Sequence, residues 1–280
     1  MQIVHTKQDV RDAVSAARAE GQVIGLVPTM GALHRGHLSL VRAAAEGSDF
    51  VVVTIFVNPT QFGPGEDLDS YPRDLEGDAA KLEPLGVDLI FAPSANEMYA
   101  DDACTTVSVS TLTEGLCGAH RPGHFDGVTT IVCKLLNIVQ ADRAWFGRKD
   151  YQQLQVIRRM VRDLDIPVEV IGGATVREED GLALSSRNQY LSDAERAVAP
   201  KLREALLAGA EAARSGVSGA EVERTVASEL GKEPLFDLQY VRAVDPETLE
   251  PLGDETGEMV IAAAAYLGNT RLIDNVAVEE

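Results

Sequence analysis

Two histidines three residues apart occupy the segment PTMGALHRGH, at residues 28–37. On a helical turn this spacing places His34 and His37 on one side, where both imidazoles can contact the same group. Gly31 and Gly36 let the backbone approach a ligand closely, and a helix N-terminus offers N–H groups and partial positive charge to a phosphate. The segment therefore predicts a phosphate site, in which the imidazoles act as cations or donors on a phosphate under attack.

Other interpretations of this segment are weaker. His37 stands where the P-loop pattern GxxxxGK(S/T) requires lysine, and the sequence has no GxGxxG, so neither a P-loop NTPase nor a dinucleotide-binding fold is indicated. A two-histidine zinc site is an alternative, but the sequence offers no cysteine or third ligand nearby.

Neutral amides follow the next apolar run, in the segment VNPTQFGPGEDLDSY at residues 57–71. Asn58 and Gln61 can orient hydroxyl groups or a carboxylate without adding charge. The dipeptide Asn58-Pro59 is also typical of the start of a turn, and that would be its whole role if the segment stood alone.

A third segment, HRPGHFDGVTTIVCK at residues 120–134, combines a cation with an imidazole. Arg121 and His124 flank a Pro-Gly turn, which is typical of a loop that closes over an anion. Asp126 or a neighbour can cap the helix that follows.

Two later segments contain phosphate-binding residue types, FGRKDYQQ at residues 146–153 and LSSRN at residues 184–188. In the first, Lys149 can neutralise phosphate charge, Asp150 can meet a ribose hydroxyl or cap a helix, and Gln153 projects one turn further on. The second offers two hydroxyls and a guanidinium. Taken singly, each segment is equally consistent with a cap, a turn or a surface patch.

Alternating strands and helices must position these segments. Apolar, β-branched runs predict strands, and amphipathic spacing predicts the helices between them. The predicted strands are 22–28, 49–57, 87–91, 143–146 and 168–171, and the predicted helices are 36–47, 75–85, 127–139 and 150–162. This alternation predicts an α/β fold with a doubly wound, Rossmann-like parallel sheet that binds ligands at the carboxyl ends of its strands.

The alternation of predicted strands and helices ends after the glycine pair at residues 172–173. Capping boxes are indicated at Ser192 with Glu195 and at Ser218 with Glu221, and Pro200 is expected to kink the first helix or break it in two. Strands follow at 236–244, 259–267 and 270–274. The chain is therefore expected to divide into a Rossmann-like domain at 1–175 and a small C-terminal α+β domain at 176–280.

Composition narrows the classes of partner. The net charge of −19 argues against general nucleic-acid binding, which needs a basic face. No run approaches the ~20 apolar residues of a membrane helix, and no basic segment precedes an apolar run at the N-terminus. We therefore expect a cytoplasmic protein without a nucleic-acid or membrane partner, with its three cysteines reduced because they form no CxxC pair.

The segments together resemble a known family. HRGH is an instance of the HxGH signature of the nucleotidyltransferase superfamily, which includes the class I aminoacyl-tRNA synthetases. The order, spacing and wording of five stretches resemble the pantothenate synthetase (pantoate–β-alanine ligase) family, from about Gly25 to Ser192. These stretches are PTMGALHRGH, FVNPTQFGPGEDLDSYPR, HRPGHFDGVTTIVCKLLNIV, WFGRKDYQQLQVIRRMVRDL and GLALSSRNQYLS.

The resemblance implies an AMP-forming ligase that joins pantoate to β-alanine through a pantoyl-adenylate. ATP would be a substrate, with Mg²⁺ held by its phosphates and no metal ligand assigned to the protein. Pyrophosphate and AMP would be released, and the C-terminal domain would act as a lid. The resemblance also implies a homodimer formed through the N-terminal domain.

The resemblance further implies site residues. His34, His37, Lys149 and Arg187 would be catalytic, with His37 the candidate general acid or base. ATP would contact Met30, Gly31, His34, Gly36, His37, Gly147, Lys149, Asp150, Val176, Leu184, Ser185, Ser186 and Arg187. Pantoate or β-alanine would contact Pro28, Thr29, Met30, Asn58, Gln61, Arg121, His124 and Gln153, with Arg121 and His124 on a mobile flap.

Three positions depart from the commonest family wording, and two rival functions stay open. Arg148 stands where an acid or amide is frequent, and Leu184 and Ala141 replace a usual Met and Pro. We expect Arg148 to tighten ATP binding. The rivals are a cytidylyltransferase acting on a phosphorylated alcohol, and a tRNA-binding synthetase relative or non-catalytic nucleotide-binding module.

Overall fold

A computed structural model describes residues 1–278, and the chain forms two compact units. The first unit consists of Met1–Ser110, Arg121–Arg148 and Gln153–Ala174. The second unit consists of Thr111–His120, Lys149–Gln152 and the described residues from Thr175 onward. The predicted boundary after residue 175 leaves residues 111–120 and 149–152 in the first domain, whereas in the structure both segments pack with the second unit.

A six-stranded parallel sheet forms the centre of the first unit, in the order β1-β4-β3-β2-β5-β6. Its strands are β1 (Gln2–Val4), β2 (Ile24–Thr29), β3 (Phe50–Ile55), β4 (Leu89–Phe91), β5 (Arg143–Gly147) and β6 (Glu169–Gly173). From β2 the chain winds outward through β3 on one side, and later through β5 on the other. The predicted doubly wound α/β fold is therefore confirmed, with the switch in strand order between β2 and β5.

Helices cover both faces of this sheet. They are α1 (Lys7–Ala19), α2 (Arg35–Gly47), α3 (Leu75–Leu82), α4 (Ala95–Met98), α6 (His124–Val139) and most of α7 (Tyr151–Asp163); α5 (Leu116–His120) belongs to the second unit. Consecutive strand residues point to opposite faces, so Leu26 joins a core with α1, α6 and α7, and Val27 joins a core with α2 and α3. No helix in residues 1–278 is long and apolar enough to cross a membrane.

The second unit contains a three-stranded antiparallel sheet, in the order β7-β8-β9. Its strands are β7 (Phe236–Val244), β8 (Met259–Leu267) and β9 (Thr270–Val278), and its remaining helices are α8 (Asp193–Val198), α9 (Lys201–Arg214) and α10 (Gly219–Leu230). Helices α9 and α10 bury an apolar face against the sheet. The predicted small α+β domain is confirmed as a fold, although β9 continues to Val278 rather than ending at 274 because it pairs with β8 along its whole length.

Local signals acted largely as expected in this unit. The capping box of Ser192 and Glu195 is present. At Ser218 only the serine half is observed, accepting the Glu221 N–H at 3.4 Å. Pro200 separates α8 from α9, because proline has no N–H to donate inside a helix.

One predicted cap is wrong. Helix α6 begins at His124 rather than at residue 127, and its N-cap is Gly123, whose φ of 78° lies in the left-handed region. Asp126 therefore falls in the first turn, where it accepts a hydrogen bond from Ser108 at 2.7 Å instead of capping the helix. A left-handed conformation suits glycine, which explains the Pro-Gly turn at this position.

Candidate active site

The turn after β2 brings a polar backbone to the carboxyl edge of the parallel sheet. The Thr29 hydroxyl donates to the Thr54 carbonyl at 2.7 Å and accepts the Gly31 N–H at 3.2 Å, which ties the ends of β2 and β3 together. Gly31 and Ala32 follow with φ values of 84° and 51°, so two successive residues adopt left-handed backbone. Helix α2 then begins at Arg35, and its N-terminus faces this edge.

His34 and His37 form a reciprocal cap at the start of α2. His34 Nδ1 accepts the Gly36 N–H at 3.2 Å, and His37 Nδ1 accepts the His34 N–H at 3.4 Å. Their ring centroids are 4.1 Å apart, as the three-residue spacing predicts. Because each Nδ1 accepts a hydrogen bond, each neutral ring carries its proton on Nε2. The two rings therefore offer paired Nε2–H donors beside a helix N-terminus.

The zinc alternative for this pair finds no further ligand. Within residues 1–278, no group of three or more histidine, cysteine, aspartate or glutamate side chains is arranged to hold a metal ion. A structural or catalytic zinc site needs three or four protein ligands. The described residues give His34 and His37 no such set of ligands.

Asn58 is the centre of a buried hydrogen-bond network after β3. Its side chain is 1% exposed, and its Oδ1 accepts from the hydroxyls of Tyr99 at 2.8 Å and Thr60 at 3.0 Å. Its amide donates to Gln61 Oε1 and to the Gly127 carbonyl, both at 3.1 Å. Protein groups thus engage both ends of the amide, so Asn58 holds the neighbouring turn in place.

Gln61 connects this network to the turn after β2. Its Oε1 accepts from Asn58, and its Nε2 lies 3.3 Å from the Met30 sulfur. Gly127 of α6 allows the close approach, since a Cβ there would lie 2.3 Å from the Thr60 carbonyl oxygen. Thr29, Met30, Asn58 and Gln61, predicted from separate segments, are therefore brought together at one edge of the sheet.

Arg121 and His124 are anchored to the segment that follows Gln61. Arg121 forms a two-point ion pair with Glu66, at 2.7 and 2.5 Å, and donates to His124 Nε2 at 2.9 Å. His124 Nδ1 lies 2.7 Å from the Gln61 carbonyl oxygen. Since Arg121 can only donate, His124 accepts at Nε2 and carries its proton on Nδ1. Arg121 and His124, the predicted flap residues, therefore belong to the same hydrogen-bond network as Asn58 and Gln61.

The electrostatics of this network favour an ionised Glu66. Burial on its own would raise the pKa of the Glu66 carboxyl, but the hydrogen bonds and charge of Arg121 outweigh it and lower the pKa. Glu66 lies in one of the predicted segments, where the sequence indicated no role for it. Nothing in the sequence around Glu66 indicates that it pairs with Arg121, which lies 55 residues away.

At the start of α7, two adjacent glutamines have different environments. Gln152 is 6% exposed; it donates to the carbonyls of Leu112 and Gly115, at 2.8 and 2.9 Å, and accepts the Cys117 N–H at 2.9 Å. It thereby holds the segment 112–117 within the second unit. Gln153, the predicted substrate residue, is half-buried in the first turn of α7.

In the second unit the predicted ATP residues line a short hairpin and turn. The Val176 carbonyl accepts the Leu184 N–H at 3.0 Å, and Ser185 accepts the Arg187 N–H at 3.3 Å, capping a 3₁₀ turn over Ser186–Tyr190. The Lys149 carbonyl accepts from Asn275 of β9 at 2.8 Å.

A buried ion pair supports the hairpin. Arg177 contacts Asp274 with both guanidinium nitrogens, at 2.7 and 2.9 Å, and Asp274 is 4% exposed. Nearby, burial lowers the pKa of Arg203, and the charge of Arg177 adds to this effect. The sequence gives no sign of this pair, because its members lie 97 residues apart.

The remaining predicted residues are placed by their elements. In the first unit, Pro28 lies in β2, Gly36 in the first turn of α2, and Gly147 ends β5. In the second unit, Asp150 is exposed and directly precedes α7. Each of these residues lies at a strand end or a helix start, where the predicted ligand would bind.

Comparison with known proteins gives matches over the full length. The family model described as Pantoate-beta-alanine ligase matches residues 2–277. The pantothenate synthetase of Moorella thermoacetica is 54% identical over 280 residues, which cover 100% of this chain and 99% of that protein. The pantothenate synthetase of Pseudomonas savastanoi pv. phaseolicola is 52% identical over 278 residues, with coverage of 99% and 98%.

Solved structures give the same result. The pantothenate synthetase from Thermus thermophilus matches with a TM-score of 0.94 and 52% identity, covering 100% of both chains. The pantoate-beta-alanine ligase from Francisella tularensis, solved with beta-gamma ATP and beta-alanine, matches with a TM-score of 0.82 and 35% identity, covering 100% of this chain and 98% of that one.

Proposed function

The chain belongs to the pantoate–β-alanine ligase family, and on that premise we propose that it condenses pantoate with β-alanine through a pantoyl-adenylate, releasing AMP and pyrophosphate. The observation that carries the proposal is the reciprocal cap of His34 and His37, which places two imidazoles at the N-terminus of α2 with each Nδ1 accepting a backbone N–H. Donors in this position suit a phosphate that gains charge during attack.

In the proposed first step, a pantoate carboxylate oxygen attacks the α-phosphorus of ATP. A bond forms from that oxygen to phosphorus, the bond from the α-phosphorus to the β-phosphate bridging oxygen breaks, and pyrophosphate leaves. We assign His34 and His37 to the phosphate oxygens as donors, and the same task to Lys149 and Arg187. Met30, Gly31, Gly36 and Gly147 are assigned to ATP on the first unit. On the second unit, Asp150, Val176, Leu184, Ser185 and Ser186 are assigned to it.

Pantoate is assigned to the part of the first unit that contains the side-chain amides of Asn58 and Gln61. Gln61 and Gln153 would bind its hydroxyls and carboxylate, with Pro28, Thr29 and Met30 beside them. The structure supports a different task for Asn58, whose amide is engaged by protein groups and which would position Gln61. Neutral amides orient a carboxylate without placing a positive charge beside it, so it stays more nucleophilic than it would beside a cation.

In the proposed second step, the β-alanine amine attacks the adenylate carbonyl. The carbon–nitrogen bond of the amide forms, the bond from the carbonyl carbon to the AMP oxygen breaks, and the proton that the amine loses balances the phosphate of the departing AMP. Arg121 and His124 are assigned to this half of the site. No nucleophilic side chain takes part, because the amine itself is the nucleophile.

Mg²⁺ is proposed to arrive as the counterion of ATP. In the part of the chain that the structure describes, no cluster of three or more acidic, histidine or cysteine side chains forms a resident metal site. The ion would supply charge neutralisation for the departing pyrophosphate. From the family resemblance we also propose that the second unit acts as a lid and that the enzyme is a cytoplasmic homodimer.

The test is ATP–pyrophosphate isotope exchange with Mg²⁺ and pantoate, in the absence of β-alanine. We expect exchange that depends on pantoate, followed by AMP and pantothenate once β-alanine is added. Folded protein that binds ATP without exchange would overturn the ligase. A stable nucleotide–alcohol product with a phosphorylated alcohol would favour a cytidylyltransferase, and a tRNA-dependent shift in electrophoresis would favour a synthetase relative.

A further inference from the structure

The buried carboxylate of Asp78 binds the turn between β2 and α2. Asp78 lies on α3, is 1% exposed, and accepts the Leu33 N–H through Oδ1 at 2.8 Å. Leu33 immediately precedes His34, the N-cap of α2. The contact joins residues 45 positions apart, one in the turn after β2 and the other in α3.

Lys81 holds the other side of the same residue. Its Nζ donates to the Leu33 carbonyl at 3.0 Å and to Asp78 Oδ1 at 3.1 Å. The N–H and the carbonyl of Leu33 are therefore both engaged by one turn of α3. We call Asp78 and Lys81 the Leu33 clamp.

The backbone held by the Leu33 clamp is unfavourable on its own. Ala32 has a φ of 51°, which an alanine adopts only when its surroundings enforce it, and Gly31 beside it has a φ of 84°. Asp78 Oδ2 has no hydrogen-bond partner among the described residues and packs under Gly31, where a Cβ would lie 3.1 Å from it. The clamp thus fixes the entry angle of the chain into α2.

We propose that Asp78 and Lys81 are positioning residues for nucleotide binding. By fixing Leu33, the clamp orients the Gly31–His34 turn and sets the direction of the His34 and His37 donors. The proposal rests on the assignment of ATP to this turn. It adds two residues on a different helix, neither of which contacts the substrates in the proposed reaction.

A matched control separates positioning from simple stabilisation. Asp88 accepts the Val51 N–H at 2.8 Å, the same bond length, but at the opposite, amino end of β3. Asp88→Ala removes the same kind of carboxylate–backbone bond from the same unit. Any effect due only to a loosened first unit should therefore occur in both variants.

The experiment measures equilibrium binding of a non-hydrolysable ATP analogue by calorimetry, together with the KM for pantoate, in Asp78→Ala, Asp78→Asn, Lys81→Met and Asp88→Ala. We expect Asp78→Ala to weaken nucleotide binding by roughly 10- to 100-fold, because displacing a site by about 1 Å has effects of this size. Asp78→Asn retains an Oδ1 acceptor for Leu33, so it should bind within about threefold of wild type. Lys81→Met should fall between these two. Asp88→Ala should bind as wild type, and the pantoate KM should change little throughout.

Equal weakening in Asp78→Ala and Asp88→Ala would overturn the proposal, as would wild-type nucleotide binding by folded Asp78→Ala. If Asp78→Ala does not fold, wild-type binding by Lys81→Met has the same force. Calorimetry measures nucleotide binding without turnover. The proposal that Asp78 and Lys81 position the turn can therefore fail while the proposed ligase function stands, and the reverse is also possible. Wild-type protein that binds nucleotide without pantoate-dependent exchange would refute only the ligase.

Discussion

The Nδ1 atom of His37 accepts the backbone N–H of His34 at 3.4 Å, so the His37 imidazole helps to cap α2, the helix whose N-cap residue is His34. N-caps are usually short side chains such as Ser, Thr, Asp or Asn. Using histidines here combines two tasks, because Nδ1 satisfies the helix backbone while Nε2–H can donate to a ligand. Capping and phosphate binding can therefore be separated by substitution.

His34→Asn should keep the cap and lose the donor. Asparagine is among the strongest N-cap residues, so we expect the free energy of unfolding to change by less than about 0.5 kcal/mol. Pantoate-dependent ATP–pyrophosphate exchange should fall about 100-fold, the effect of removing one preorganised donor. Urea unfolding and exchange assays measure the two effects. His34→Ala is the control that loses both, and full exchange in His34→Asn would contradict the assignment.

The ion pair of Glu66 with Arg121 should make stability depend on pH. The pKa of Glu66 is lowered in the folded protein, so its contribution is complete above the ordinary glutamate pKa and is lost as the pH falls through the lowered value. Glu66→Gln should cost about 1 kcal/mol at pH 7, a modest value because solvent partly screens the pair. The difference from wild type should shrink below about pH 4.3.

Urea unfolding of both proteins between pH 7 and pH 3 tests this prediction. Arg242→Gln, which removes an ion pair that is more exposed, is the control. A difference that stays constant as the pH falls would show that the Glu66 carboxylate does not provide the stability.

Asn58→Ala should weaken folding and pantoate binding together. The substitution removes a buried amide and takes one hydrogen bond each from the Tyr99 hydroxyl and the Gly127 carbonyl, at a cost of about 2–3 kcal/mol. Gln61 also loses its support, so the pantoate KM should rise. Asn137→Ala removes an amide that donates to a helix carbonyl at 2.8 Å on an exposed surface, and should change neither quantity. A pantoate KM unchanged in Asn58→Ala would separate Asn58 from the site.

Gly127→Ala should displace the turn that contains Gln61. The added Cβ would meet the Thr60 carbonyl oxygen at 2.3 Å and the Gln61 Cα at 2.7 Å, both of them backbone atoms. We expect the pantoate KM to rise about 10-fold or more. The control is Gly115→Ala, because a Cβ at Gly115 meets no atom within 4 Å. Wild-type kinetics in Gly127→Ala would mean that the turn adapts without moving Gln61.

Most of the fold is readable from local patterns, because buried parallel strands are short apolar, β-branched runs. The bounds of β7 and β8 agree with the sequence prediction. Two elements were missed at the N-terminus. Strand β1 has three residues with one buried, which is too short for a pattern. Helix α1 did show the signal, since Val10, Val14 and Ala17 are spaced to lie on one face.

The candidate site is predictable only where its partners are close in sequence. The spacing of His34 and His37 predicts their proximity. The role of Asn58 does not follow from its segment, since its partners Tyr99 and Gly127 lie 41 and 69 residues away. A residue type indicates which bonds can form, and the tertiary fold determines which ones do. Amides and carboxylates are therefore the residues whose tasks differ most from those that the sequence predicts.

The buried pair of Arg177 and Asp274 should show strong coupling. Removing one partner leaves the charge of the other at a largely buried site without its two-point contact, so Arg177→Met and Asp274→Asn should each cost about 3 kcal/mol in the free energy of unfolding. The double variant leaves no such charge, so it should be more stable than the sum of the single effects predicts, by about 1–3 kcal/mol. Arg177→Lys should rescue only in part, because an ammonium cannot make the two-point contact seen at 2.7 and 2.9 Å.

The same pair should affect nucleotide binding through the hairpin beside it. Arg177 follows Val176, whose carbonyl accepts the Leu184 N–H, so loss of the pair should loosen a segment assigned to ATP. We expect weaker binding of an ATP analogue by each single variant and partial recovery in the double variant, measured by calorimetry below the unfolding transition. Additive losses in stability would mean that the two side chains act independently. Unchanged nucleotide binding in folded single variants would assign the pair to folding alone.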